Sequence, residues 1–174
     1  MSDLFMVFDV ESVGLHGDGF AVGWVVVNRE GDTLSSGLQS IPPQNAEGTD
    51  EGRQWVKENV PALPQTGVWL ADLYNQFWAI WRYWSDQGAV LVADCAWPVE
   101  ARFLAACVDD EPEERAWQGP YPLHDLASIV LARGGDPIAT HERLPNELPA
   151  HNPLNDARQS ARLMVVALAG RGMP

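Results

Sequence analysis

The chain has 174 residues, 46% of them hydrophobic and 20% charged, which excludes a disordered segment and fits one domain with a full core. A formal net charge of −13 excludes a broad basic face that would hold nucleic acid by charge alone, although divalent cations can invert that balance locally. The opening MSDLFMVFDV lacks a basic n-region and a small-residue cleavage site, and no apolar run approaches the roughly 20 residues of a membrane helix. Cys95 and Cys107 sit among apolar neighbours without metal-ligand spacing, so the expectation is a cytoplasmic protein with reduced core thiols and no membrane association.

LFMVFDV, from Leu4, reads as a buried first strand; GDG at 17–19 is a turn, and FAVGWVVVN is a second strand rich in β-branched residues. REGD turns the chain into a third strand, TLSSGLQSI, which Pro42 and Pro43 stop. Such short turns predict an antiparallel meander. Thr49 or Asp50 caps a helix over TDEGRQWVKENV, and LADLYNQFWAIWRYWSDQG is a longer helix ending at Gly88. AVLVAD is a short buried strand, followed by a helix over PVEARFLAACV with Pro98 at its first position. PYPLHDLASIVLARGG gives a strand edge and then a helix closed by Gly134 and Gly135; the stretch up to Pro153 is a loop, and PLNDARQSARLMVVALAG is the last helix. This order predicts a single α/β domain over residues 1–174, with a mixed sheet and helices on its faces.

The carboxylates carry the chemical signal. Asp9 and Glu11 lie two apart at a strand end and share one face, where two like charges repel unless something positive lies between them. Beyond the short strand, Glu100, Phe103, Leu104 and Cys107 fall at i, i+3, i+4 and i+7, so Glu100 points inward with the apolar stripe; Asp94, at the strand end itself, competes for the same role. Asn152 caps the helix that Pro153 opens, which places His151 just outside and Asp156 about one turn in. Carboxylate oxygens suit Mg²⁺ or Mn²⁺, and two such ions clamp the attacking and leaving oxygens of a phosphoryl displacement while a histidine takes the proton of the attacking water.

FDVESVGL resembles the first motif, Asp-x-Glu followed by Gly-Leu, of the DEDDh exonucleases of the ribonuclease H-like superfamily. HNPLNDARQSARL resembles their third motif, a histidine with an aspartate five residues later. The resemblance implies a ribonuclease H-like fold with a five-stranded mixed sheet, two Mg²⁺ or Mn²⁺ ions and removal of nucleotides from 3′ ends. It makes Asp9, Glu11 and Asp156 metal ligands and His151 the general base, and Leu15 the residue that packs on the terminal base with Gly14 letting the backbone approach. In length the chain looks most like the small bacterial exoribonucleases of this group, several of which are homodimers, so the resemblance implies the 3′ end of short or single-stranded RNA, favoured over DNA, as substrate. The second motif departs from the pattern: the position three before Phe-Leu is Glu100 rather than aspartate. Glu100 is favoured over Asp94 by register, and the departure keeps open a catalytically impaired binding or assembly protein on the same scaffold.

Trp78, Trp81 and Trp84 recur every third residue, with Tyr74 and Phe77 nearby. Core or dimer packing is the reading favoured over a base-stacking surface, and the length of the face points to a homodimer. Arg158 and Arg162 lie roughly opposite Asp156 on a helical wheel, which assigns them to a solvated face. His16 and His124 have no partner in the pattern.

Overall fold

A computed structural model describes residues 3–170. The three-strand meander is present: β1 (Leu4–Ser12), β2 (Gly19–Asn28) and β3 (Thr33–Ser40) pair antiparallel in succession. Two helices follow, α1 (Asp50–Asn59) and α2 (Leu70–Ser85). The Thr49 hydroxyl accepts from the Gly52 N–H and caps α1, while Asp50 and Glu51 complement the dipole of its first turn. The chain then returns in β4 (Val90–Ala93), parallel to β1, and in β5 (Leu123–Asp125), parallel to β4. Between them lie α3 (Ala101–Asp110) and α4 (Pro112–Gln118); after β5 come α5 (Leu126–Ala132) and α6 (Pro153–Leu168). The sheet order is β3-β2-β1-β4-β5, a mixed five-stranded sheet with helices on both faces, the ribonuclease H-like arrangement. Among the described residues no helix is long and apolar enough to cross a membrane.

Alternation along β1 decides what each face meets. Met6, Phe8 and Val10 point toward α2 and α3, into a core completed by Leu73, Phe77, Trp81, Phe103 and Leu104. Phe5 and Val7 point the other way, toward Leu126 and Val130 of α5 and Ala157, Ala161 and Met164 of α6. Each fully buried side chain of this kind contributes about 1.5–3 kcal/mol, so both faces of the central strand are strongly specified. Because Asp9 and Glu11 have odd numbers, they belong to the α6 face.

Trp78 and Trp81 are each 5% exposed and Trp84 is partly buried against the same core, so the aromatic stripe of α2 packs into the chain's own core, one of the two packings expected of it. Other expectations change. Cys107 is buried and Cys95 exposed, so only one of the two free thiols is a core residue. Regular helix begins at Ala101 rather than at Pro98; residues Ala96–Glu100 form a wide, kinked turn in which Trp97 is extended (φ −116°, ψ 136°). Helix α4 has no counterpart in the reading above. Its signals are Pro112 in the first turn, Glu113 and Glu114 behind it, and Gly119 at its end (φ +56°). Its Arg115 is buried, donating to the Cys107 carbonyl at 2.7 Å and to Asn75, with the guanidinium 5.5 Å from the Trp78 ring centre.

Candidate active site

The site forms where the odd-numbered face of β1 outruns the helix that covers it. Val7 still packs under α6, but Asp9 and Glu11 lie at the level of the first turn of α6, where backbone N–H groups and Asp156 replace apolar side chains. Gly23 makes this close approach possible. It stands beside Asp9 across the β1–β2 ladder, and a Cβ there would lie 2.1 Å from the Leu154 nitrogen and 2.2 Å from the Pro153 carbonyl carbon. Only a residue without a side chain lets α6 rest its N-terminus on the strand.

The start of α6 is built as its residues suggest. Pro153 occupies the first turn, and the Asn152 side chain accepts from Leu154 N–H at 3.1 Å and Asn155 N–H at 3.4 Å. His151, just outside, has φ +58° and is the non-glycine residue with positive φ among the described residues. That conformation turns its N–H onto Asp156 Oδ2 at 2.9 Å and its ring toward the strand, with Nδ1 3.8 Å from Glu11 Oε1. The ring also meets Trp55 of α1 edge-on, with centres 4.9 Å apart. One donor atom each from Glu11, His151 and Asp156 lies within 4.8 Å of the other two.

Glu100 arrives from the kinked turn and is buried at 6% exposure, together with Phe103, Leu104 and Cys107. The inward direction expected of it therefore holds even though the helix begins one residue later. Backbone N–H groups of Glu100 itself and of Val10 hydrogen-bond its carboxyl, tying it to β1. Asp94 follows β4 and is turned toward α6, with its carboxyl hydrogen-bonded to Ser160. Among the carboxylates around Asp9, Glu100 does most to raise it, followed by Asp156, Glu11 and Asp94.

Crowding of like charges in a partly dehydrated place governs the electrostatics. Asp9 is held well above its usual value, by burial first and then by Glu100, Asp156, Glu11 and Asp94. Glu11 is pushed up to about 8, by burial and then by Asp156 and Glu100. Glu100 is pushed up to about 7, by burial chiefly, with Asp94 and Asp125 adding to it and the two backbone hydrogen bonds opposing. Asp94 and Asp156 are also raised by burial, opposed by the Ser160 hydroxyl and by Arg143 respectively. Such crowding is relieved by protons or by a cation, and the oxygen donors with one imidazole are of the type that suits Mg²⁺ or Mn²⁺.

Beside the cluster opens a largely apolar cavity of about 690 Å³ whose wall includes Glu11, Gly14, Leu15, Gly52, Trp55 and Val99. Leu15 is 64% exposed at its rim. Gly14 has φ +81°, the left-handed backbone that favours glycine, while a Cβ there would make only ordinary contact with the Gly52 Cα at 3.6 Å.

Arg158 and Arg162 do not lie on a solvated face. Arg162 forms two hydrogen bonds to the buried Glu147 carboxylate, at 2.6 and 2.9 Å, and Arg158 donates to the Asn146 carbonyl at 3.3 Å and to Asn155 Oδ1 at 3.0 Å. They fasten the stretch expected to be a plain loop onto α6. From that stretch Arg143 reaches Asp156 Oδ1 at 2.5 Å, a member of the site that the sequence pattern does not mark. Gly23 did leave a sign: a lone glycine inside a β-branched strand signals close backbone approach.

No family model matches the chain, and no curated protein does. Among solved structures, the zinc-bound E. coli ExoI–ssDNA complex superposes with a TM-score of 0.64 at 9% identity, over 97% of this chain and 41% of that one. A moderately thermophilic exonuclease I from Methylocaldum szegediense gives 0.60 at 14% identity, over 94% and 40%. At such identities the likeness is one of fold, and the chain spans about two fifths of the length of either exonuclease.

Proposed function

We propose that the chain is a metal-dependent exonuclease that removes nucleotides from the 3′ ends of single-stranded nucleic acid, and that residues 1–174 act as one exonuclease domain. The observation that carries this reading is the grouping of Glu11, Asp156 and His151 within 4.8 Å, with Asp9 near enough to Glu100, Asp156 and Glu11 to be raised by them, beside a cavity large enough for a nucleoside. The fold shared with two exonucleases I supports it, and one of these neighbours is a complex with single-stranded DNA. The motif resemblance leans toward RNA and the structural likeness toward DNA, so the sugar is decided by assay.

In this reading Asp9, Glu11, Glu100 and Asp156 hold two divalent ions, and Asp94 stays with Ser160 behind them. When bound, the ions supply the charge that offsets the carboxylates and the developing charge on the phosphate. Leu15, Trp55 and Val99 seat the terminal nucleoside against an apolar wall, while Gly14 and Gly52 keep the backbone low there. His151, kept in place by its left-handed backbone and the Trp55 edge, takes the proton of the attacking water at an imidazole nitrogen. Glu11, 3.8 Å from Nδ1, stabilises the imidazolium that results.

The test is the cleavage ladder of 5′-labelled single-stranded RNA and DNA with Mn²⁺, with Mg²⁺ or with chelator. Stepwise shortening from the 3′ end that requires an ion is expected. Folded protein that shortens neither substrate overturns the reading in favour of a binding protein on this scaffold.

A further inference from the structure

Arg143 enters the acidic cluster from a stretch with no part in the chemistry above. Its Nη1 donates to Asp156 Oδ1 at 2.5 Å and to the Glu147 carbonyl at 2.9 Å. The anchor is firm: the Glu147 carboxylate is 2% exposed and accepts from Arg162 and, at 2.9 Å, from the Leu144 N–H. Asp156 Oδ2 already accepts the His151 N–H. Both oxygens of Asp156 are therefore engaged, one of them by a permanently charged group standing where a divalent ion would share that carboxylate. A guanidinium and a divalent ion on one oxygen repel, so one must give way. Arg143 has somewhere to go, because it lines a cavity of about 230 Å³ together with Asp94, His141 and Ser160.

We propose that Arg143 alternates between Asp156 and a phosphate of the bound nucleic-acid end. It neutralises Asp156 in the ion-free chain; when an ion takes that carboxylate, the Glu147 carbonyl keeps the guanidinium at the site, and its planar fork of remaining N–H donors faces the incoming phosphate. The inference rests on the exonuclease reading, since it takes the ion and the phosphate from there. It gives a chain of net charge −13 a cation that is held in an ion pair with Asp156 until substrate and ion arrive together.

The experiment measures Mn²⁺ affinity by calorimetry without nucleic acid, and KM with kcat on the preferred single-stranded substrate, for the parent chain, Arg143→Gln and Arg143→Lys. Removing the competitor and one charge-assisted contact should tighten Mn²⁺ binding of Arg143→Gln about tenfold and raise its KM about tenfold. Arg143→Lys keeps the charge and loses the fork, so its Mn²⁺ affinity should stay near the parent's while its KM rises. Unchanged or weaker Mn²⁺ binding in a folded Arg143→Gln overturns the alternation, as does a parental KM in either variant. If Arg143→Gln does not fold, a parental KM in Arg143→Lys alone overturns the phosphate contact. A parent chain that binds no Mn²⁺ at all overturns the exonuclease reading as well, whereas equal binding by parent and Arg143→Gln removes only the role of Arg143.

Discussion

Replacing Glu11 by Gln should abolish ion-dependent hydrolysis and at the same time stabilise the ion-free protein at alkaline pH. Glu11 is 7% exposed and its carboxyl is raised from an ordinary 4.5 to about 8. A group raised in this way favours the folded chain while protonated. That advantage is complete below about 4.5, where the unfolded chain also holds the proton, and is lost as pH climbs through about 8. At 1.36 kcal/mol per pH unit, the ionised Glu11 costs the fold about 5 kcal/mol at pH 9 and under about 1 kcal/mol at pH 5. Glu100, raised to about 7, loses its own share over a lower range, and one proton in the cluster relieves both. Urea unfolding in chelator at pH 5 and pH 9 measures the effect. The parent should lose several kcal/mol between the two, Glu11→Gln should exceed the parent by about 3–5 kcal/mol at pH 9, and the two should nearly coincide at pH 5. Mn²⁺ at pH 9 should restore the parent and do little for the variant. A Glu11→Gln chain no more stable than the parent at pH 9 would refute the account of the cluster as uncompensated charge.

Two other outcomes check the geometry. Glu100→Gln should cost far more activity than Asp94→Asn in the ladder assay, because Glu100 is buried with the inward stripe of α3 and does more than Asp94 to raise Asp9; the reverse ranking moves the second-motif role to Asp94. Gly23→Ala sets a Cβ against the Pro153–Leu154 backbone, which cannot rotate away, so α6 must lift at a cost of about 1–3 kcal/mol. Mn²⁺ affinity should fall along with stability, since Asp156 and His151 ride on that turn; parental values for both would show that α6 does not rest on the strand as described.

What the sequence announced and what it hid divide along local and long-range interactions. Strand alternation, the Asn152–Pro153 helix start and the inward stripe of Glu100 are properties of a few consecutive residues, and each is legible before any fold is known. Proline at a first helical position is a common pattern and predicts a start at Pro98, whereas Pro98 lies inside a kinked turn with Trp97 extended, a geometry that the pattern does not contain. The aromatic stripe of α2 has the same spacing whether it faces a partner or its own core, and periodicity cannot tell which. Arg143 was invisible for a different reason: nothing near it in sequence marks it, and its place is fixed by Glu147, Arg162 and Asp156, contacts that exist only after the chain has folded back on itself.

The acidic cluster joins the first strand to the last helix, and this has a consequence for how the protein is made. Contacts between segments so far apart in sequence carry a large loop-closure cost and form late. During synthesis β1, with Asp9 and Glu11, precedes Asp156 by most of the described chain and has its pairing neighbours β2 and β3 directly behind it. Until α6 docks, the strand end can meet Glu100 but not Asp156, His151 or the Arg143 that Asp156 holds. A ribosome translating this chain therefore carries a precursor whose cluster is incomplete, and the cluster is assembled only when α6 docks over Gly23.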